Sequence, residues 1–163
     1  MSDPDRDAVV RLLGREPRGR YEVVLRDQSG GPIVLRNAPL LDDGTPMPTL
    51  FWLVGDRERL LVSRLESAGG VRRASAEVPL ARISAAHEAY ATERDAYLPA
   101  DHAGPTPFGG VGGTRKGIKC LHAHYAYWLI GGLDPVGEWV AARLGDHDNV
   151  DKATLHSGGS DAK

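Results

Sequence analysis

The stretch Thr49 to Val54 reads Thr-Leu-Phe-Trp-Leu-Val and is apolar on both of its faces. A strand of that kind must be covered on each side, so the pattern predicts a central strand packed between two layers. The preceding sequence supplies partners for it. Tyr21, Val23 and Leu25 alternate with Glu22, Val24 and Arg26, which predicts a strand. Gln28-Ser29-Gly30-Gly31 then gives a turn, and Pro32 to Arg36 reads as the hairpin partner. Helical patterns lie outside this block. Asp3-Pro4 opens a first helix carrying Val9, Leu12 and Leu13, with Gly14 as its stop. Asp56 caps a second, with Leu60, Leu61, Leu65 and Ala68 on the buried side, Arg57, Arg59, Arg64 and Glu66 on a solvated face, and Gly69-Gly70 at the end. A third runs from Pro79 to Tyr97, with Leu80, Ile83, His87, Tyr90 and Tyr97 on one seam. A fourth spans Arg115 to Ile130, and Asp134-Pro135 starts a last one to Leu144. Leu98 to Thr114 is a long connection rich in Gly and Pro, of a length that is often functional or mobile.

Strands and helices segregated in this way predict an α+β fold, a small antiparallel sheet of about three strands covered by four or five helices. A single domain is expected over residues 1–144, with 145–163, polar and aperiodic, as a flexible C-terminal tail. The size agrees, since 163 residues suit one domain. Twenty Lys and Arg against 22 Asp and Glu give a net charge of −2, which excludes the overall basicity of a typical nucleic-acid binder. One cysteine, Cys120, excludes an internal disulfide and fits a reducing compartment. No run approaches the roughly 18 apolar residues of a membrane span. Met1 to Leu13 also lacks the cationic and apolar regions of a signal peptide. A soluble, cytoplasmic protein without membrane insertion is expected.

The chemistry concentrates in residues 109–124, Gly-Gly-Val-Gly-Gly-Thr-Arg-Lys-Gly-Ile-Lys-Cys-Leu-His-Ala-His. Gly112 and Gly113 can adopt positive φ and approach a ligand closely, and a helix starting directly afterwards aims its free N–H groups at the same place. With Thr114, Arg115, Lys116 and Lys119 they make a candidate cradle for a small anionic or phosphorylated ligand. The spacing is not that of a P-loop, and no strand precedes it, which disfavours a dinucleotide fold.

Cys120, His122 and His124 carry a second reading. Thiolate and imidazole are ligands for a divalent metal such as zinc, and they also form nucleophile–base pairs. In a helix of about 100° per residue, Cys120 and His124 share a face about 40° apart, while His122 points about 200° away. The helical pattern therefore favours Cys120 with His124, as nucleophile and base or as metal ligands, with His87 as the best third group and Asp101 or His102 as weaker ones. Burial of the same residues as ordinary core is the alternative.

Pro48 to Leu53, Ser63-Arg64-Leu65-Glu66, Gly112 to Arg115, Gly117 to His124 and Asp134 to Gly137 together resemble a bacterial family, the domain of unknown function 501, over residues 5–144. The resemblance implies a bacterial cytosolic protein but no activity. Some members carry Cys-Pro after the Trp-Leu strand, where this chain has Gly55-Asp56; a metal site here would then draw on Asp56, His87 or water. The residues support an anion-binding protein with a Cys/His reactive or metal-binding centre for group transfer or hydrolysis. The rival reading, implied by genes neighbouring those of the family, is a non-enzymatic interaction module linked to cell division.

Overall fold

The computed structural model describes residues 3–145. Helix α1 (Pro4–Leu13) starts on the Asp3 carboxylate, which accepts the Asp5 N–H at 3.1 Å, and ends at Gly14 with φ 72°. Strands β1 (Tyr21–Arg26), β2 (Pro32–Asn37) and β3 (Phe51–Leu53) form one antiparallel sheet in the order β1-β2-β3. The hairpin is the predicted one. The position of β3 is not, because β3 lies at an edge of the sheet and β2 is the central strand.

Both faces of β3 are nevertheless covered, as its apolar sequence demands. Phe51 and Leu53 join the main core beneath the helices, while Trp52 and Val54 pack with Val9 and Leu12 of α1. The outer backbone of β3 is met by a side chain in place of a fourth strand: the Phe51 N–H donates to the buried Tyr90 hydroxyl at 3.0 Å. A covered edge of this kind gives little purchase to another strand. A slip in register between Val23 and Leu25 turns Leu25 and Val24 to the main core and leaves Val23 on the α1 side.

Helices α2 (Asp56–Ser67), α3 (Gly70–Glu77), α4 (Leu80–Asp95), α5 (Leu121–Leu129) and α6 (Pro135–Leu144) complete the main layer. Four details correct the sequence-based expectation. Gly69, at φ 85°, turns the chain straight into α3, which the Gly-Gly pair had hidden as a stop. Asp56 is the first helical residue of α2, not its cap. The buried side of α2 is centred on Val62, with Leu61 and Leu65 half-buried, and Leu60 is 51% exposed. In α4 the buried seam is Ile83, Ala86, His87, Tyr90 and Arg94, whereas Leu80 and Tyr97 face out.

Helix α5 is buried on nearly every side, the state expected of a helix apolar all round. Tyr127 stacks on Phe51 with centroids 5.8 Å apart and meets Tyr90 edge-on at 5.1 Å, which ties α5 to β3 and α4. Asp134 caps α6 through the Val136 and Gly137 N–H groups. The predicted tail lies, apart from Gly145, outside the described residues. Among the described residues no helix is long and apolar enough to cross a membrane.

The connection from α4 to α5 is braced by two α4 side chains. Arg94, 1% exposed, donates to the carbonyls of Pro48 at 3.1 Å and Gly109 at 2.8 Å. His87 accepts the Val111 N–H at Nδ1 (3.0 Å), so its proton sits on Nε2 and goes to the Gly117 carbonyl at 2.7 Å. Protonating Nδ1 would destroy the first bond. Burial, with smaller contributions of both signs, holds His87 below its ordinary value. A base depressed in this way stabilises the fold fully above the unfolded value of about 6.5. That contribution is lost as pH falls through the folded value. Ring-proton NMR should place the His87 midpoint below 6.5; a midpoint at or above it contradicts the assigned tautomer.

Close contact between α5 and α6 gives a second prediction. Alanine in place of glycine ordinarily adds about 1 kcal/mol to a helix. At Gly137, however, a Cβ would lie 2.3 Å from Trp128 Cβ and 2.5 Å from the His124 carbonyl oxygen. Gly137→Ala should therefore lower stability by about 1–3 kcal/mol, read as a reduced urea midpoint at unchanged m. A raised midpoint would contradict this packing.

Candidate functional site

The helix expected from Arg115 begins only at Leu121. Gly117 has φ 66°, a conformation that interrupts a right-handed helix, and Cys120 is extended at φ −153°, ψ 129°. Cys120 thus occupies the N-cap position without forming a side-chain cap. A carboxylate from another helix takes over that task. Glu66 of α2 accepts the Leu121 N–H at 2.7 Å, as a helix start favours an anion.

Around this contact three potential donors come together. His122 Nδ1 lies 3.6 Å from Cys120 Sγ and 3.3 Å from Glu66 Oε1, and the oxygen, sulfur and nitrogen atoms all fall within 4.8 Å of one another. The extended Cys120 makes this possible. It turns the sulfur back to residue 122 in place of 124, which an uninterrupted helix would have favoured. The other ring nitrogen of His122, Nε2, faces Ser63 Oγ at 3.0 Å and the Arg59 carbonyl at 3.3 Å. Side-chain exposures of 25% for His122 and 29% for Glu66 leave the cluster within reach of a small molecule. The Cys120 contact raises the His122 pKa above its ordinary value; burial opposes it, and Glu66 and the Arg59 carbonyl add to the rise.

The other predicted residues lie elsewhere. His124 is fully buried and pairs with Asp134 through Nδ1 at 2.7 Å, so it joins α5 to the cap of α6. Its Nε2 has no hydrogen-bond partner among the described residues. His87 packs 5.6 Å from the His124 ring, and both of its nitrogens are engaged in the loop. Asp56 pairs with Arg11 at the surface at 3.4 Å, and His102 bonds the nearby Pro105 carbonyl at 2.8 Å. The only grouping of three potential metal donors among the described residues is Glu66, Cys120 and His122.

The glycine run is organised by internal hydrogen bonds. Val111–Gly113 form a 3-10 turn in which Gly113 donates to Gly110 at 3.0 Å and Gly110 to the Thr114 carbonyl at 2.7 Å. Gly112 and Gly113 do adopt positive φ, at 69° and 76°. The Thr114 hydroxyl donates to the Lys116 carbonyl, and Arg115 stacks on Phe108 at 3.8 Å. Lys116 and Lys119 are exposed. The anion at the helix start is the chain's own Glu66.

Sequence reasoning missed Glu66, Ser63 and Arg59 as neighbours of His122, having set Glu66 and Arg59 on a solvated face. Their spacing is a signal in hindsight: residues 59, 63 and 66 repeat at helical intervals and form one stripe.

No curated protein and no solved structure matches this chain. A family model described as a protein of unknown function, DUF501, matches residues 23–142, which include Arg59, Ser63, Glu66, Cys120 and His122. The chain belongs to the domain of unknown function 501 family.

Proposed function

We propose that Cys120, His122 and Glu66 hold a divalent metal such as zinc, through Sγ, Nδ1 and Oε1. Two of the three donor separations carry the reading, the third lying within 4.8 Å. Tetrahedral zinc, with bonds of about 2.3 Å to sulfur and 2.0–2.2 Å to nitrogen and oxygen, requires about 3.6 Å between S and N and about 3.4 Å between N and O. The observed distances are 3.6 Å and 3.3 Å. His122 is oriented as a metal-bound imidazole usually is, with Nε2–H directed at the Arg59 carbonyl and the Ser63 hydroxyl.

Three protein ligands leave a fourth position for water or substrate, the arrangement of catalytic sites. Such a metal supplies Lewis acidity and lowers the pKa of bound water, which suits hydrolysis or group transfer. Lys119, directly before Cys120, with Lys116 and Arg115, would draw a small anionic or phosphorylated substrate through side chains. A reducing cytoplasm keeps the thiolate available.

A second reading rests on the 3.6 Å contact between Cys120 Sγ and His122 Nδ1. Without metal, Cys120 and His122 form a nucleophile–base pair with Cys120 as nucleophile, His122 taking the base role expected of His124.

Elemental analysis of protein purified without a metal-affinity tag tests the first reading. Stoichiometric metal is expected, with Cys120→Ala and His122→Ala losing it and Ser63→Ala binding about tenfold more weakly. A wild-type chain that retains no zinc after reconstitution, or a Cys120→Ala variant that retains as much, overturns the metal reading. Fast alkylation of Cys120, abolished in His122→Ala, would then establish the thiol pair; ordinary thiol reactivity would remove it too.

A further inference from the structure

On the α1 side of the sheet, a cleft of about 180 Å³ opens where the connection from α1 to β1 crosses the one from β2 to β3. Three arginines surround it, Arg15, Arg18 and Arg20, and no carboxylate lines it. Its apolar wall is Trp52, Leu41 and Met47. The Arg15 guanidinium lies 5.6 Å from the centre of the Trp52 ring. Arg18 reaches Asp43 only at 3.8 Å, in a pair that is well exposed on both sides. Arg15 and Arg20 have no carboxylate partner among the described residues, although the surface around them is rich in ion pairs.

Like charges gathered at one concave place repel one another and raise the local concentration of anions. Guanidinium groups select carboxylate or phosphate by paired hydrogen bonds, and also stack on flat π systems. Trp52, half-buried in the wall and beneath Arg15, favours a planar apolar body. The volume sets the size, because it falls below the range of about 300–1,000 Å³ that takes drug-sized ligands. We propose that this cleft binds a small aromatic anion, a single ring bearing a carboxylate or a phosphate, with the ring against Trp52 and the anionic group on Arg18 and Arg20. The site is independent of the metal reading and shares no residue with it.

Calorimetric titration of the full chain tests it, with benzoate and phenyl phosphate as probes and benzamide and inorganic phosphate as controls. Saturable binding of at least one aromatic anion is expected, weakened about tenfold or more in Arg18→Gln/Arg20→Gln and falling as salt rises. Both arginines are exposed, and an unchanged thermal midpoint of the double variant confirms that its fold is intact. Trp52→Phe should narrow the advantage of phenyl phosphate over inorganic phosphate. The proposal is overturned if neither aromatic anion saturates by about 10 mM. It is equally overturned if neither aromatic anion binds more tightly than its own control, benzamide for benzoate and inorganic phosphate for phenyl phosphate, or if the double variant binds unchanged.

Discussion

The guanidinium of Arg94 is almost cut off from water, and the segments without regular structure depend on it. A buried cation costs several kcal/mol unless its charge and its N–H groups are satisfied. Arg94 meets that demand with the Asp95 carboxylate at 2.9 Å and the carbonyls of Pro48 and Gly109. Those carbonyls belong to two irregular stretches, one leading into β3 and one leading toward α5, so a single side chain fixes both. Seven residues and two turns earlier on α4, His87 fixes Val111 and Gly117. The approach to Cys120 is therefore built from α4, and the sulfur arrives beside α2 because the loop before it has been pinned.

The periodic parts of this fold were legible in the sequence. The hairpin, α1 with its Asp-Pro start, α6 with the same signal and the two-sided burial of β3 follow from local pattern and capping chemistry. The errors occurred where a distant partner overrode the local preference. Nothing in Thr49 to Val54 reveals that a tyrosine hydroxyl stands where a fourth strand would pair. Arg115 to Lys119 have no residue that forbids a helix except Gly117, and the carbonyl there is held by His87, thirty residues away. Arg94, on the last turn of α4, carries no local signal of burial, since the carbonyls it meets come from Pro48 and Gly109.

The candidate centre was half legible for the same reason. Cys120 and His122 were visible as chemistry, but the choice between residues 122 and 124 rested on a helical start that the structure moves to Leu121. His124 has a different partner, Asp134, in a contact that joins α5 and α6. Glu66, separated from Leu121 by 55 residues, could not be found from spacing near the motif. The helix start that was read as a place for an anionic ligand is met by the chain's own Glu66 carboxylate.

Glu66 links the folding of α5 to the state of the cluster. Its Oε1 satisfies an amide at a helix start, where a negative charge is favoured, and the same atom faces the His122 ring. When Cys120 ionises, two anions share a site less than 5 Å across, and their repulsion must be offset by a cation. Imidazolium at His122 supplies one charge and a divalent metal supplies two, so a metal would leave the proposed three-ligand centre neutral. Glu66→Gln separates the two roles of this residue, because an amide oxygen can still accept the Leu121 N–H while carrying no charge. Loss of metal with the start of α5 intact would trace the role of Glu66 in the cluster to its charge, whereas unwinding of that start would mean that the cap itself needs the carboxylate.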